Sequence, residues 1–179
     1  MRLETPRLIL RKPEIADIGD YLEVVNSEFV RRYNAMTIVT PEKAVAEFVS
    51  AKEDHSLLVM ESKSNNKVIG VICTHEDSIR YGVDSRELSY FLREEESGKG
   101  YMKEALRGLI RHLFEQEHLT CIAARCFAPN VASQRLLESL GFLREGVVRR
   151  CVKGYQDTVF DDCLYSLMQE DWAAACNME

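Results

Sequence analysis

Ser97-Gly98-Lys99-Gly100-Tyr101-Met102-Lys103-Glu104-Ala105-Leu106 is the stretch on which the fold turns. It follows an alternating run, Glu87-Leu88-Ser89-Tyr90-Phe91-Leu92-Arg93, which predicts a strand over 86–93. It opens a second run in which Met102, Ala105, Leu106, Leu109, Ile110, Leu113 and Phe114 recur at three- and four-residue steps, the period of a helix with one buried face. In a strand, glycine turn and helix arrangement the first helical N–H groups lack intrahelical acceptors, and the macrodipole adds partial positive charge there. Two glycines let an anion approach the main chain with no Cβ in the way. The stretch points to a phosphorylated ligand, with a plain glycine-led helix start as the alternative reading. A Walker A loop is excluded, because Gly98 and Gly100 are adjacent-but-one and no Ser or Thr follows a lysine in the right place. A dinucleotide fingerprint would need glycine where Lys103 stands, and it opens a fold rather than interrupting one.

Working outward, short elements are punctuated by turn residues. Leu8-Ile9-Leu10 reads as a first strand ending before Pro13, and residues 16–25 as a helix with Ile15, Ile18, Leu22 and Val25 along one side. A second helix follows Thr40-Pro41, with Val45, Phe48 and Val49 expected to face inward. Residues 56–62 and 67–75 predict a hairpin around Ser64-Asn65-Asn66. Cys121 to Phe127 reads as a buried strand. Asn130 then caps a helix whose apolar side includes Ala132, Leu136, Leu137 and Leu140, stopped by Gly141. Two closing strands, near 142–150 and 158–168, flank a turn at Lys153-Gly154. The mixed order of strands and helices predicts an α+β (mixed α/β) sheet in one domain spanning 1–179.

Composition narrows the function classes. The 179 residues are 46% hydrophobic and 29% charged, an ordinary globular balance, and the formal net charge of -6 argues against a dedicated nucleic-acid binder. No apolar run is long enough to span a bilayer and no signal peptide is visible, so no membrane partner and a cytoplasmic location are expected. The cysteines at 73, 121, 126, 151, 163 and 176 contain no C-x-x-C pair and read as core thiols. The histidines at 55, 75, 112 and 118 include no i,i+4 pair, so no metal site is expected. None of them sits in a nucleophile elbow.

Ser97 to Met102 resembles the pyrophosphate loop of the GNAT acetyltransferases, Arg/Gln-x-x-Gly-x-Gly/Ala. The first position falls on Ser97, the inner glycine on Gly100 and the last small residue on Met102, so both ends depart from the pattern and Met102 must turn into the core. The stretch from Asn130 to Phe142 resembles the same superfamily's Asn-x-x-Ala/Ser helix ending in Gly-Phe. Leu3 to Arg11 resembles the opening of its RimJ/RimL-like branch. With three segments in order, the resemblance covers nearly the whole chain. It implies a splayed, mostly antiparallel central sheet of about seven strands flanked by helices. It also implies direct acetyl transfer from acetyl-CoA to a primary amine, either a protein N-terminus or a small molecule. A non-catalytic acyl-CoA-binding sensor on the same fold is the alternative reading, and a homodimer is left open.

The resemblance also assigns roles. The N–H groups of Gly98, Lys99, Gly100, Tyr101, Met102 and Lys103 would hold the diphosphate. The Lys99 and Lys103 side chains either add charge there or are solvated. Phe91, Leu92 and Arg93 would pair with the pantetheine arm like an added strand, with the Leu92 N–H as an oxyanion donor. A splay or bulge between the 86–93 and 121–127 strands would expose those groups. Glu87 would act as the general base, its alternative being an exposed strand-end carboxylate. The tyrosine many members use as acid is replaced by Leu137, so Ser133 becomes the candidate donor to the thiolate, or else a first-turn serine bonding the Asn130 cap. Asn130 would also touch the coenzyme amides. Acceptor choice would lie in residues 14–53 and the 153–158 turn, where Glu14, Asp17, Asp20, Glu23 and Asp157 either draw a cationic amine or are solvated.

Overall fold

The computed structural model describes residues 1–35, 37–54 and 56–176. His55 lies outside these, and the side chain of Cys176 is likewise outside the description. Eight strands form one sheet: β1 (Arg2–Glu4), β2 (Leu8–Arg11), β3 (Leu57–Ser62), β4 (Val68–Glu76), β5 (Ser85–Leu92), β6 (Cys121–Phe127), β7 (Leu143–Lys153) and β8 (Val159–Met168). Their spatial order is β1-β2-β3-β4-β5-β6-β8-β7. Every pairing is antiparallel except β5 with β6. The expected mostly antiparallel α+β sheet is therefore present. It has one strand more than expected, because Arg2–Glu4 pairs with β2 as an edge.

The helices are α1 (Ile18–Val25), α2 (Glu28–Arg31), α3 (Pro41–Asp54), α4 (Tyr101–Glu115), α5 (Val131–Ser139) and α6 (Gln169–Cys176). They cover both faces of the sheet and divide the core in two. One apolar cluster joins Leu8, Leu58, Ile72, Leu88 and Ile122 to α4, α5 and Trp172 of α6. The other joins Leu57 of β3 and Val71 of β4 to Tyr21, Val24, Val30, Ala44 and Phe48 of α1 to α3. No helix among the described residues is long and apolar enough to cross a membrane.

Three expectations are corrected. In α3 the buried residues are Ala44, Phe48 and Ala51, while Val45 and Val49 are exposed. The small alanines let the helix lie close, and the β-branched residues are left outside. Ahead of α1, Ile15 is exposed and begins a 3-10 turn, and Tyr21, Val24 and Val25 carry the buried side. Cys121, Cys126 and Cys163 are core thiols as expected, but Cys73 is half-buried and Cys151 exposed on β7.

Helix α4 explains how the glycine turn can stay unencumbered. Its N-cap is Gly100, which has no side chain to cap the first N–H groups. A glycine in place of a capping side chain costs only about a few tenths of a kcal/mol. Against that, Leu106, Leu109, Ile110, Leu113 and Phe114 are almost fully buried, and each such side chain contributes about 1.5–3 kcal/mol. The helix is held by its apolar face and needs no cap to form.

Candidate active site

The parallel pairing of β5 with β6 runs from Ser85↔Cys121 to Leu88↔Ala124 and stops there. Both strands continue, β5 to Leu92 and β6 to Phe127, so the sheet opens as the resemblance implied. Arg93 donates its N–H to the Ile69 carbonyl at 2.9 Å, in register with Gly70↔Leu92. Antiparallel ladders alternate the side on which main-chain groups point. Phe91 and Arg93 therefore turn theirs to β4, whereas Tyr90 and Leu92 turn theirs into the opening.

A cleft of about 490 Å³ occupies this opening. The expected residues Phe91, Leu92, Gly98, Gly100, Tyr101, Met102, Lys103, Asn130 and Ser133 all line it. Gly98 and Gly100 have φ of 75° and 81°, left-handed values that suit glycine alone, and a Cβ on Gly98 would meet nothing within 4 Å. Among the described residues, no main-chain carbonyl accepts from the N–H groups of Gly98 to Lys103. Met102 turns into the core, as its size required.

Two expected contacts fall elsewhere. Lys99 is not in the cleft lining, and its ammonium pairs with Glu96 at 3.0 Å. Arg93 is not there either. Its guanidinium binds Asp20 at 2.8 Å and Glu23 at 2.7 Å, and its carbonyl accepts from Glu96. Phe91 contributes its side chain rather than its main chain, for the ladder reason just given.

Ser133 makes the cap bond weighed for it and a second bond that the sequence did not suggest. Its backbone N–H donates to the Asn130 Oδ1 at 3.2 Å, which caps α5, while its hydroxyl lies 2.7 Å from the hydroxyl of Tyr90. Burial raises the Tyr90 phenol above its ordinary range, so it is a neutral partner, with Ser133 pulling the other way. Burial also pushes the Cys126 thiol up to about 12, and that thiol shares the same serine hydroxyl. Leu137 is fully buried against the core.

Glu87 occupies a different place. Strand alternation puts it on the opposite side of the sheet from Leu88 and Tyr90. It lines a separate cavity of about 210 Å³ with Arg80, Arg125 and Glu145. Burial raises its carboxyl above the usual range, opposed by the Arg125 charge. It sits four residues from Phe91, roughly 13 Å along the strand. The structure brings the residues expected around the glycine turn together in one cleft and leaves Glu87 at the closed end of the splay.

The acidic residues expected to draw an acceptor are mostly spent on ion pairs. Asp17 binds Arg11 at 2.7 Å, Asp20 and Glu23 bind Arg93, and Asp157 binds Lys153 at 2.7 Å. Glu14 is exposed and donates its N–H to Asp17.

Several residues of the site carried no sequence signal. Phe29, Val30 and Tyr33, in and after α2, close the cleft from the far side. The Arg31 guanidinium lies 4.9 Å from the centre of the Tyr155 ring, joining α2 to the turn before β8. Tyr90 was legible as a strand residue only.

The profile of the acetyltransferase (GNAT) domain matches residues 7–143. The uncharacterized N-acetyltransferase YnaD of Bacillus subtilis (strain 168) is 26% identical over 96% of this chain and 99% of its own length. The crystal structure of a GNAT-family acetyltransferase from Bacillus anthracis superposes with a TM-score of 0.83 at 25% identity, covering 95% of this chain and 99% of that one. The ribosomal-protein-S5-alanine acetyltransferase of Vibrio fischeri shares the fold, with a TM-score of 0.82 at 22% identity over 96% of this chain and 98% of its own.

Proposed function

Because this chain belongs to the GNAT acetyltransferase family, we propose that its 179 residues form one domain that moves an acetyl group from acetyl-CoA directly to a primary amine, on a protein N-terminus or a small molecule. The observation that carries this reading is the row of main-chain N–H groups from Gly98 to Lys103, clear of neighbouring carbonyls and opening on a cleft that ends at Ser133. A diphosphate fits such a cradle, because left-handed glycines bring the backbone to the surface with no side chain over it. The shape of the sheet and the ribosomal-protein acetyltransferases among its structural neighbours support the RimJ/RimL-like branch.

Acetyl-CoA, when bound, supplies the acetyl group as an activated thioester. The chain's own residues do the rest. The Gly98–Lys103 amides hold the diphosphate. The main-chain groups of Tyr90 and Leu92, turned into the opening, hold the amide-bearing arm, and the Leu92 N–H is placed to stabilise negative charge on the carbonyl oxygen. Ser133 donates a hydrogen bond at the sulfur, oriented by Tyr90. Glu87, with its affinity for protons raised by burial, takes a proton from the incoming ammonium through water. The face that carries Glu87, Arg125 and Arg80 receives the acceptor, and α2 with the Tyr155 turn flanks it.

Titration calorimetry with acetyl-CoA, paired with a thiol-release assay over free N-terminal peptides and small amines, tests the proposal. Binding with CoA release on at least one class is expected, and the class that turns over names the acceptor. Binding without release on any amine would favour a coenzyme-sensing module instead.

A further inference from the structure

The cradle between Gly98 and Lys103 poses a conformational problem. The Lys99–Gly100 peptide lies between the Cα of Lys99 and that of a left-handed glycine, Gly100, with a second left-handed glycine, Gly98, one residue further back. Turning that peptide changes ψ at Lys99, where both the α and the β wells are open to an L-residue, and φ at Gly100, where glycine takes either sign, so it can rotate as a unit. A trans peptide points its C=O and N–H in opposite directions. Rotated one way it offers the Gly100 N–H to an anion, and rotated the other way it offers a carbonyl, which repels one. Something outside the loop must choose.

We propose that Arg7 is the positioning residue that makes the choice. This rests on the diphosphate reading of the loop. The Arg7 Nη1 donates to the Lys99 carbonyl at 3.0 Å, across 92 residues of sequence. With that carbonyl held toward Arg7, the Gly100 N–H faces the other way. Arg7 is itself fixed at three points. Its Nε binds Glu104 Oε2 at 2.6 Å, its main-chain N–H binds Glu104 Oε1 at 2.8 Å, and its guanidinium lies 4.3 Å from the centre of the Tyr101 ring. Thr5 adds a hydroxyl bond of 2.5 Å to the same Oε1. Glu104 stands on the first turn of α4, and its own N–H closes on the Gly100 carbonyl at 3.0 Å. The turn between β1 and β2 and the start of α4 therefore move as one body. A planar fork that satisfies a carboxylate, a carbonyl and an aromatic face at once is a task for arginine, which lysine's single ammonium cannot repeat.

The proposal separates from two simpler roles. If Arg7 acted by its charge on the diphosphate, lysine would serve nearly as well. If it merely stabilised the fold, every ligand would suffer alike. Arg7→Ala, Arg7→Lys and Glu104→Gln are compared with the wild type for kcat and KM on acetyl-CoA and on S-acetylpantetheine, which carries the thioester arm but no diphosphate. Wild type is expected to prefer acetyl-CoA in KM. All three variants are expected to raise KM for acetyl-CoA about tenfold or more while leaving kcat and the S-acetylpantetheine KM within about twofold, as expected when one oriented donor to an anion is lost. Arg7→Lys within twofold of wild type on acetyl-CoA overturns the lock, as does equal loss on both donors. A wild type with no preference between the donors overturns the diphosphate reading itself, and the lock with it. Should Arg7→Ala fail to fold, the Arg7→Lys and Glu104→Gln variants decide the matter alone.

Discussion

In the proposed transfer, single atoms of Ser133 and Tyr90 carry much of the chemistry. The serine hydroxyl is a poor acid but an adequate donor, and the buried phenol 2.7 Å away fixes where it points. A hydrogen bond to a charged group is worth about 1.5–3 kcal/mol, so Ser133→Ala is expected to lower kcat by roughly ten- to a hundredfold. Tyr90→Phe removes only the orienting bond, about 0.5–1.5 kcal/mol, and should lower kcat by two- to tenfold. Steady-state kinetics at saturating acetyl-CoA check both, and a loss confined to KM would reassign the pair to packing. Glu87 makes a separate prediction. Its carboxyl is raised by burial, so it becomes a competent base only as pH climbs through that raised value. Glu87→Gln should show its largest deficit near neutral pH. The deficit should shrink as pH approaches the acceptor amine's own pKa, where solvent supplies the free amine. A variant whose pH–rate profile parallels that of the wild type would clear Glu87 of the role.

Among the elements, the glycine turn is where the proposal makes backbone geometry into a binding site. At Gly100 a Cβ would meet only Arg7 Nη2 at 3.5 Å, which is ordinary contact, so the obstacle to substitution is its φ of 81°. Valine there costs about 1–3 kcal/mol if the conformation persists. Relaxing it instead turns the N–H groups away. Gly100→Val should keep a cooperative melting transition yet lose acetyl-CoA affinity by at least an order of magnitude in calorimetry, and retained affinity would remove the turn from the site. This turn, α4, the Asn130 cap and the 57–76 hairpin were legible because each signal is local: a period, a glycine or a capping side chain within a few residues. Arg2–Glu4 and Glu28–Arg31 were not, being too short to show any period. The inward face of α3 was misread because hydrophobicity favours Val45 and Val49, whereas close packing selects Ala44 and Ala51. The bonds between Tyr90 and Ser133, 43 residues apart, and between Arg7 and Glu104, 97 apart, belong to the tertiary fold alone.

The whole molecule adds a field to these local arrangements. Its formal net charge is -6. The face proposed for the acceptor carries part of that excess: Arg80 answers to both Asp77 and Glu145, Arg125 answers to Asp162, and Glu87 stands beside them without a salt bridge of its own among the described residues. Two carboxylates that line the cavity and two buried behind it thus share two guanidinium groups, which tips the local balance negative. Such a field draws in a protonated amine and repels an anionic one before any contact forms. It does not act on the chemical step, because the acceptor must shed its proton to react. The expectation is therefore specific to one kinetic constant. For a cationic acceptor, kcat/KM should fall severalfold between about 0.01 M and 1 M salt, as the screening length shrinks from roughly 30 Å to 3 Å, while kcat stays constant. A zwitterionic or neutral acceptor should show little dependence, so the salt slope also reports the acceptor's charge. Stopped-time thiol release across an ionic-strength series measures it. A flat kcat/KM for every cationic acceptor that turns over would mean that the carboxylates around Glu87 are neutralised by their arginines and that acceptor choice is made by shape at α2 and the Tyr155 turn.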